Sequence, residues 1–107
     1  MNDTVWTLLN EQIQVELYSA YLYLGFSGYF GSTGLQGFRH WYEVQAQEEL
    51  SHAFRIFRYL IDSGKEVKLM SVTAPTVQGG PIRAVVERAL THEQYVTGRI
   101  HKIVKTA

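Results

Sequence analysis

Residues 45–53 read QAQEELSHA, and this short stretch decides the fold. Glu49 and His52 are three residues apart, so in a helix both project from one face. Tyr42 and Ile56 fall on the same face and make it largely apolar. An ionised carboxylate there costs several kcal/mol unless it is paired, protonated or bound to a metal. A single Glu or His on an apolar face usually has a structural explanation. Whether Glu49 and His52 have a structural or a functional role therefore depends on the other segments of the sequence.

Three long helices are predicted around this stretch. Apolar residues that recur every three or four positions predict a first helix from about Thr4 to Phe30 and a second that ends near Ser63. Thr33 with Gln36 predicts a capping box at the start of the second helix. Pro81 suits the first turn of a third helix, which runs almost to the last residue.

Each predicted helix has one apolar face that carries a ligand-type residue. The faces are Leu9, Ile13, Glu16, Ala20, Tyr23, Ser27 and Phe30 in the first helix; Phe38, Tyr42, Gln45, Glu49, His52, Ile56 and Tyr59 in the second; and Ile82, Val86, Ala89, Glu93, Val96, Ile100 and Val104 in the third.

The long loop over residues 65–81 predicts how the helices are connected. Seventeen extended residues span about 55 Å, which exceeds the roughly 40 Å length of a 27-residue helix. The loop can therefore cross the whole bundle and set the third helix parallel to the second. The expected fold class is all-α, a crossover helix bundle with three long helices.

In this arrangement the polar residues of the apolar faces converge. At about 1.5 Å per residue, Glu16 and Glu49 lie about 22 Å from the same end of the bundle, and Glu93 lies about 17 Å from it. The di-iron carboxylate pattern has one Glu from each of two helices and a Glu-x-x-His element from each of two others. This sequence has both single Glu residues but one Glu-x-x-His element, and the second is missing. Carboxylate and imidazole ligands suit iron or manganese. Tyr23, two turns after Glu16, is either a partner of a metal ligand or a core residue.

The same residues resemble a known family. Residues 9–23, LNEQIQVELYSAYLY, are similar to the first helix of the non-haem ferritins of bacteria and archaea. Residues 45–53 resemble the second helix of that family, and residues 91–94, THEQ, resemble the third. The resemblance covers nearly the whole chain.

The resemblance implies iron storage with ferroxidase activity, in which dioxygen or peroxide oxidises Fe(II) and the product is stored inside a 24-chain shell. It implies that Glu16, Glu49 and His52 hold the first iron, that Glu49 bridges to the second, and that Glu93 binds the second. Tyr23 matches a tyrosine near this centre, and Glu48 matches either a peripheral iron ligand or a solvated surface residue. In the related bacterioferritins a haem-ligating Met follows the bridging Glu; here Leu50 stands in that place, so we expect no haem.

The sequence also departs from the family pattern, because family members continue into a fourth long helix. We expect residues 1–107 to form one ferritin-like domain without that helix, with a weaker second iron site, an exposed apolar flank, or both. An exposed apolar flank favours association. The sequence is then either a fragment or a chain that forms a homo-oligomer, at least a dimer.

Composition excludes several other functions. Ten basic residues balance ten acidic ones, which favours neither nucleic acid nor a membrane surface as partner. There is no cysteine, hence no thiolate metal site. No signal peptide or membrane-spanning segment is predicted, and we expect a cytoplasmic protein.

Two alternatives remain open. A rubrerythrin-like di-iron oxidase would use similar helices, but it normally carries a Cys-rich iron module. A truncated bundle that serves only as a structural or assembly chain would keep its ligands as relics. The other histidines, His40, His92 and His101, are predicted to be surface or subunit-contact residues.

Overall fold

The computed structural model describes residues 1–77 and 80–107 and consists of three long α-helices. Helix α1 spans Asp3–Ser32, α2 spans Gln36–Asp62, and α3 spans Ile82–Thr106. The part of the chain that the structure describes contains no β-strand, so the predicted all-α class is confirmed. Within the same residues, no helix combines the length and the apolar character needed to cross a membrane.

Local hydrogen bonds and backbone geometry explain the ends of the helices. The side-chain Oδ1 of Asn2 accepts a hydrogen bond of 2.7 Å from the backbone N–H of Val5, which caps the start of α1. Gly34 and Gly64 follow α1 and α2, with φ angles of 81° and 75°. Glycine adopts this left-handed conformation without a steric penalty, so both residues can end a helix.

The predicted capping box at the start of α2 is wrong. The residue that precedes α2 is Leu35, and it makes no side-chain capping bond. The hydroxyl of Thr33 instead donates to the carbonyl oxygen of Phe30 at 3.1 Å. Only Thr33, Gly34 and Leu35 separate the two helices, and Thr33 is used to close α1 rather than to open α2.

The segment between α2 and α3 runs along the length of α1. Near the start of α1, the indole N–H of Trp6 donates to the carbonyl oxygen of Glu66 at 2.9 Å. Near its end, the hydroxyl of Tyr29 donates to the carbonyl oxygen of Gly80 at 2.8 Å. The segment therefore crosses the bundle as predicted; residues 78 and 79 of the predicted loop lie outside the described residues.

Helix α3 then returns along α1 in the opposite direction. Tyr23 of α1 contacts Glu93, whereas Gln12, eleven residues earlier, contacts Arg99. Because α2 also runs antiparallel to α1, helices α2 and α3 are parallel. This is the predicted crossover connection, and the fold prediction is confirmed.

The apolar core consists of two clusters on either side of the middle of α1. One combines the C-terminal half of α1 with the start of α2 and of α3: Leu22, Tyr23, Phe26, Phe30, Tyr42, Ala46, Val85 and Ala89. The other lies towards the opposite end: Ile13, Ala53 and Leu60. The buried carboxylates Glu16 and Glu49 lie between these clusters along both helices.

The predicted inner faces of α2 and α3 need correction. In α2, Ala46, Ala53 and Leu60 are buried, whereas Phe38 and Tyr59 are exposed. In α3, Val85 and Ile103 are buried in place of the predicted Ile82, Val86, Ile100 and Val104, which are all exposed. Apolar residues occupy two neighbouring stripes of α3. Packing against α1 buries the stripe that contains Ala89 and Val96.

Candidate metal centre

Glu16, Glu49 and His52 come together midway along the pair of helices α1 and α2. One ligand atom from each lies within 4.8 Å of the other two. Nδ1 of His52 is 3.3 Å from Oε2 of Glu49 and 3.8 Å from Oε2 of Glu16. Because metal–oxygen and metal–nitrogen bonds are about 2.0–2.2 Å long, donors to one ion lie about 3–4 Å apart. The three side chains therefore have the spacing of ligands that share a metal ion.

The helices fix this arrangement. Glu49 and His52 are three residues apart on α2 and project from the same face. Glu16 faces them from α1, which packs against α2. The two carboxylates are almost completely buried, with 2% of Glu16 and 6% of Glu49 exposed. The His52 side chain is 44% exposed, so it lies at the solvent-facing edge of this group.

Among the described residues, His52 is the one ion-pair partner of the two buried carboxylates. Oε2 of Glu16 is buried and has no hydrogen-bond partner within the described residues. Burial, together with the neighbouring Glu16 and Glu93 carboxylates, raises the pKa of Glu49 to about 9. A buried polar atom without a partner is costly, and a bound cation would remove that cost. The residues present therefore fit a divalent metal ion.

Glu93 approaches the centre from α3. It lies outside the group of Glu16, Glu49 and His52, but its negative charge helps to raise the pKa of Glu49. The hydroxyl of the buried Tyr23 donates a hydrogen bond to Oε1 of Glu93. Burial and this hydrogen bond raise the pKa of Tyr23, so its phenol stays protonated at neutral pH. All four predicted ligands from the three helices thus lie around one level of the bundle.

Other candidate residues are placed differently. The structure leaves Glu48 exposed to solvent on α2, and it is not a member of the group of three ligands. His40 and His101 are exposed, as expected. His92, predicted to be a surface or subunit-contact residue, is half-buried within the chain, with Nε2 2.7 Å from Oγ of Ser19. Burial lowers the pKa of His92, which favours the neutral ring.

Beside the centre lies a buried amide that the sequence patterns did not predict. Nε2 of Gln12 donates to Oε1 of Glu16 at 3.1 Å, and Oε1 of Gln12 accepts from Nε of Arg99 at 2.9 Å. Gln12 precedes Glu16 by four residues, so helical spacing alone would have placed it on the same face. Arg99 is 87 residues away in the sequence, and no local pattern points to its contact with Gln12.

A crossover bundle with acidic residues and a histidine gathered at its centre is the architecture of ferritin-like proteins. The sequence model of the ferritin-like domain family matches residues 7–107. The chain therefore belongs to the ferritin-like family.

Individual relatives agree with this assignment. The chain is 35% identical over 108 residues to a bacterial non-heme ferritin of Bacteroides fragilis, a match that covers 100% of this chain and 67% of that protein. It is similar to an open-pore ferritin of the hyperthermophilic archaeon Archaeoglobus fulgidus, with 43% identity, a TM-score of 0.97, and coverage of 100% of this chain and 66% of that one. A humanized archaeal ferritin matches with 40% identity and the same TM-score of 0.97. The chain spans about two thirds of the length of these relatives.

Proposed function

We propose that this chain binds Fe(II) at the Glu16–Glu49–His52 centre and oxidises it to Fe(III), in the service of iron storage. The observation that carries the proposal is the buried Oε2 of Glu16, which has no partner among the described residues and lies 3.8 Å from a histidine nitrogen. Oxygen and imidazole donors, without thiolates, suit iron. The relatives that bear the name ferritin support the same chemistry.

The four ligands have distinct roles in this proposal. Glu16 and His52 bind the first iron, and Glu49 bridges it to the second. Glu93 binds the second iron and is held by the hydroxyl of Tyr23. The described residues offer the second iron only the carboxylates of Glu49 and Glu93, so we expect it to bind more weakly than the first.

The reaction needs the two ferrous ions close together. A bridging carboxylate holds metal ions about 3.5–4 Å apart, close enough to act on one small molecule. Each Fe(II) gives one electron to the same dioxygen molecule, which takes up two protons and leaves as hydrogen peroxide. When peroxide is the oxidant, the two electrons and two protons convert it to two water molecules. Iron is the substrate here, and no haem takes part in the proposal.

The chain itself we propose to be cytoplasmic and oligomeric. Apolar side chains are exposed along one face of the pair α1–α2, among them Tyr21, Leu24, Leu50 and Phe54. Such a surface favours association with further copies, and the proposed end point is a storage shell. Light scattering tests the association: a fully helical species with the monomer mass of 12.3 kDa at micromolar concentration would contradict it.

Oxidation of Fe(II) by air, followed by ultraviolet absorbance, tests the proposed activity. We expect the wild-type chain to oxidise Fe(II) well above the rate of iron alone, and Glu49→Ala to lose that excess. Glu43→Ala is the matched control, since Glu43 lies on the same helix and pairs with Arg39 at 2.7 Å, away from the centre. Oxidation at the background rate by both the wild type and Glu49→Ala would contradict the proposal.

A further inference from the structure

A directed chain of hydrogen bonds leads from α3 to the candidate metal centre. Nε of Arg99 donates to Oε1 of Gln12 at 2.9 Å, and Nε2 of Gln12 donates to Oε1 of Glu16 at 3.1 Å. Gln12 is only 1% exposed, so it has little access to water as an alternative partner. A second contact holds Arg99 in place, because its Nη2 lies 3.4 Å from Oε2 of Glu11.

Only one orientation of the Gln12 amide satisfies this chain. A guanidinium group offers donors and no acceptor, so the amide oxygen must face Arg99. An ionised carboxylate offers acceptors and no donor, so the amide nitrogen must face Glu16. The opposite orientation would place N–H groups against N–H groups and oxygen against oxygen. Arg99 therefore determines which end of Gln12 points towards Glu16.

The consequence concerns the two oxygens of Glu16. Gln12 occupies Oε1, while Oε2 is buried without a partner among the described residues and lies 3.8 Å from Nδ1 of His52. The free oxygen is thus the one that faces His52. A Glu16 side chain that lacked Gln12 could rotate, or it could present both oxygens to a bound ion.

We propose that Gln12, oriented by Arg99, is a positioning residue that makes Glu16 bind metal through Oε2 alone. The inference rests on the proposed metal binding at this centre. Hydrogen-bond partners behind a metal ligand fix its orientation, and their removal lowers metal affinity by about 10- to 100-fold in other proteins. Arg99 acts on the metal only through Gln12, so its contribution requires that amide.

Binding of Co(II) to the 107-residue chain tests the proposal, because the visible spectrum of this ion reports its ligands and geometry. We expect Gln12→Leu to weaken Co(II) binding by about 10- to 100-fold and to change the spectrum. Arg99→Met should act in the same direction with a smaller loss, and Arg99→Lys should restore part of it. The double variant of Gln12→Leu and Arg99→Met should match Gln12→Leu alone. Arg99 acts through Gln12, and the effects of residues in one hydrogen-bond network are not additive.

A matched control separates this effect from a general loss of packing. Gln14 lies two residues away on α1 and donates a hydrogen bond to the carbonyl oxygen of Ser71 in the crossover segment. Gln14→Leu removes one such bond without touching Glu16, so we expect the Co(II) affinity and spectrum of the wild type. Circular dichroism establishes that each variant keeps its helices.

The outcomes distinguish this inference from the proposed function. If the wild type binds Co(II) and a helical Gln12→Leu binds it with the same affinity and spectrum, the positioning role is overturned while the metal centre stands. If Gln12→Leu does not fold, Arg99→Met decides: wild-type affinity and spectrum overturn the role. If the wild type binds no Co(II), the proposed metal centre fails and this inference fails with it.

Discussion

Helix α1 carries polar side chains on two neighbouring faces, and the two are treated differently. Towards α2, Glu16 and Glu49 are buried with His52 as their one ion-pair partner in the described part of the chain, where Oε2 of Glu16 has no hydrogen-bond partner. Towards α3, Gln12 has both ends of its amide paired, and Tyr23 donates to Glu93. The polar groups towards α3 are satisfied by hydrogen bonds between helices, whereas Oε2 of Glu16 remains available to a ligand.

The largest expected effect on stability comes from Glu49, at the contact between α1 and α2. The pKa of Glu49 is raised from 4.5 to about 9, so the folded, metal-free chain binds a proton that the unfolded chain releases between those values. The stability that this bound proton contributes is complete below pH 4.5 and is lost as the pH rises towards 9. The free energy of unfolding then falls by up to about 1.4 kcal/mol per pH unit. For a domain of this size that corresponds to a melting temperature lower by about 4–8 °C for each kcal/mol.

Glu49→Gln removes the titrating group and tests this effect. We expect the melting temperature of the metal-free variant to depend much less on pH between 5 and 9 than that of the wild type, and to exceed it at pH 8. Thermal unfolding followed by circular dichroism in the presence of a chelator measures both. If the melting temperatures of the two chains change with pH in parallel, ionisation of Glu49 does not destabilise the fold.

A medium effect is expected where the crossover segment packs against α1. A Cβ atom added at Gly25 would lie 2.5 Å from Cγ2 of Val77, whereas one added at Gly28 would meet nothing within 4 Å. We expect Gly25→Ala to destabilise the chain by about 1–3 kcal/mol through overpacking. The control Gly28→Ala should stabilise it by up to about 1 kcal/mol, because alanine favours helices. Urea unfolding measures both; equal stabilisation would refute the close contact.

The smallest effect is expected on the satisfied face. Tyr23→Phe removes the hydrogen bond to Glu93, which should reduce the free energy of unfolding by about 0.5–1.5 kcal/mol. Tyr42→Phe is the control, since Tyr42 is also a buried tyrosine of the same apolar cluster and lacks this bond to Glu93. If both variants unfold at the same urea concentration, the hydrogen bond makes no net contribution.

Local patterns in the sequence were sufficient to predict the helices and their connection. Apolar periodicity placed the ends of α1 and the C-terminal end of α2 within two residues of the observed ones. The length of the loop predicted the crossover, because the reach of an extended chain is a matter of simple geometry. The assignment of Thr33 was wrong, since Thr33 lies in the three-residue turn between two helices and the local pattern does not show which helix it caps.

Contacts between distant segments were harder to predict. The three-residue spacing of Glu49 and His52 is local, and the structure does bring them to Glu16, although their role as metal ligands stays a prediction. The buried stripe of α3 depended on packing against α1, so Val85 was missed in favour of Val86. The contact between Gln12 and Arg99 joins two helices across 87 residues, and only the folded chain reveals it.

Anaerobic titration of the 107-residue chain with Fe(II), followed by calorimetry, tests the central claim most directly. If the buried group of Glu16, Glu49 and His52 is a metal centre, the wild type binds one ion tightly and a second more weakly. Binding releases protons, because metal displaces the proton that Glu49 carries below pH 9. Glu49→Gln should lose the tight event. Equal heats for the wild type and Glu49→Gln, or no binding by the wild type, would contradict the account.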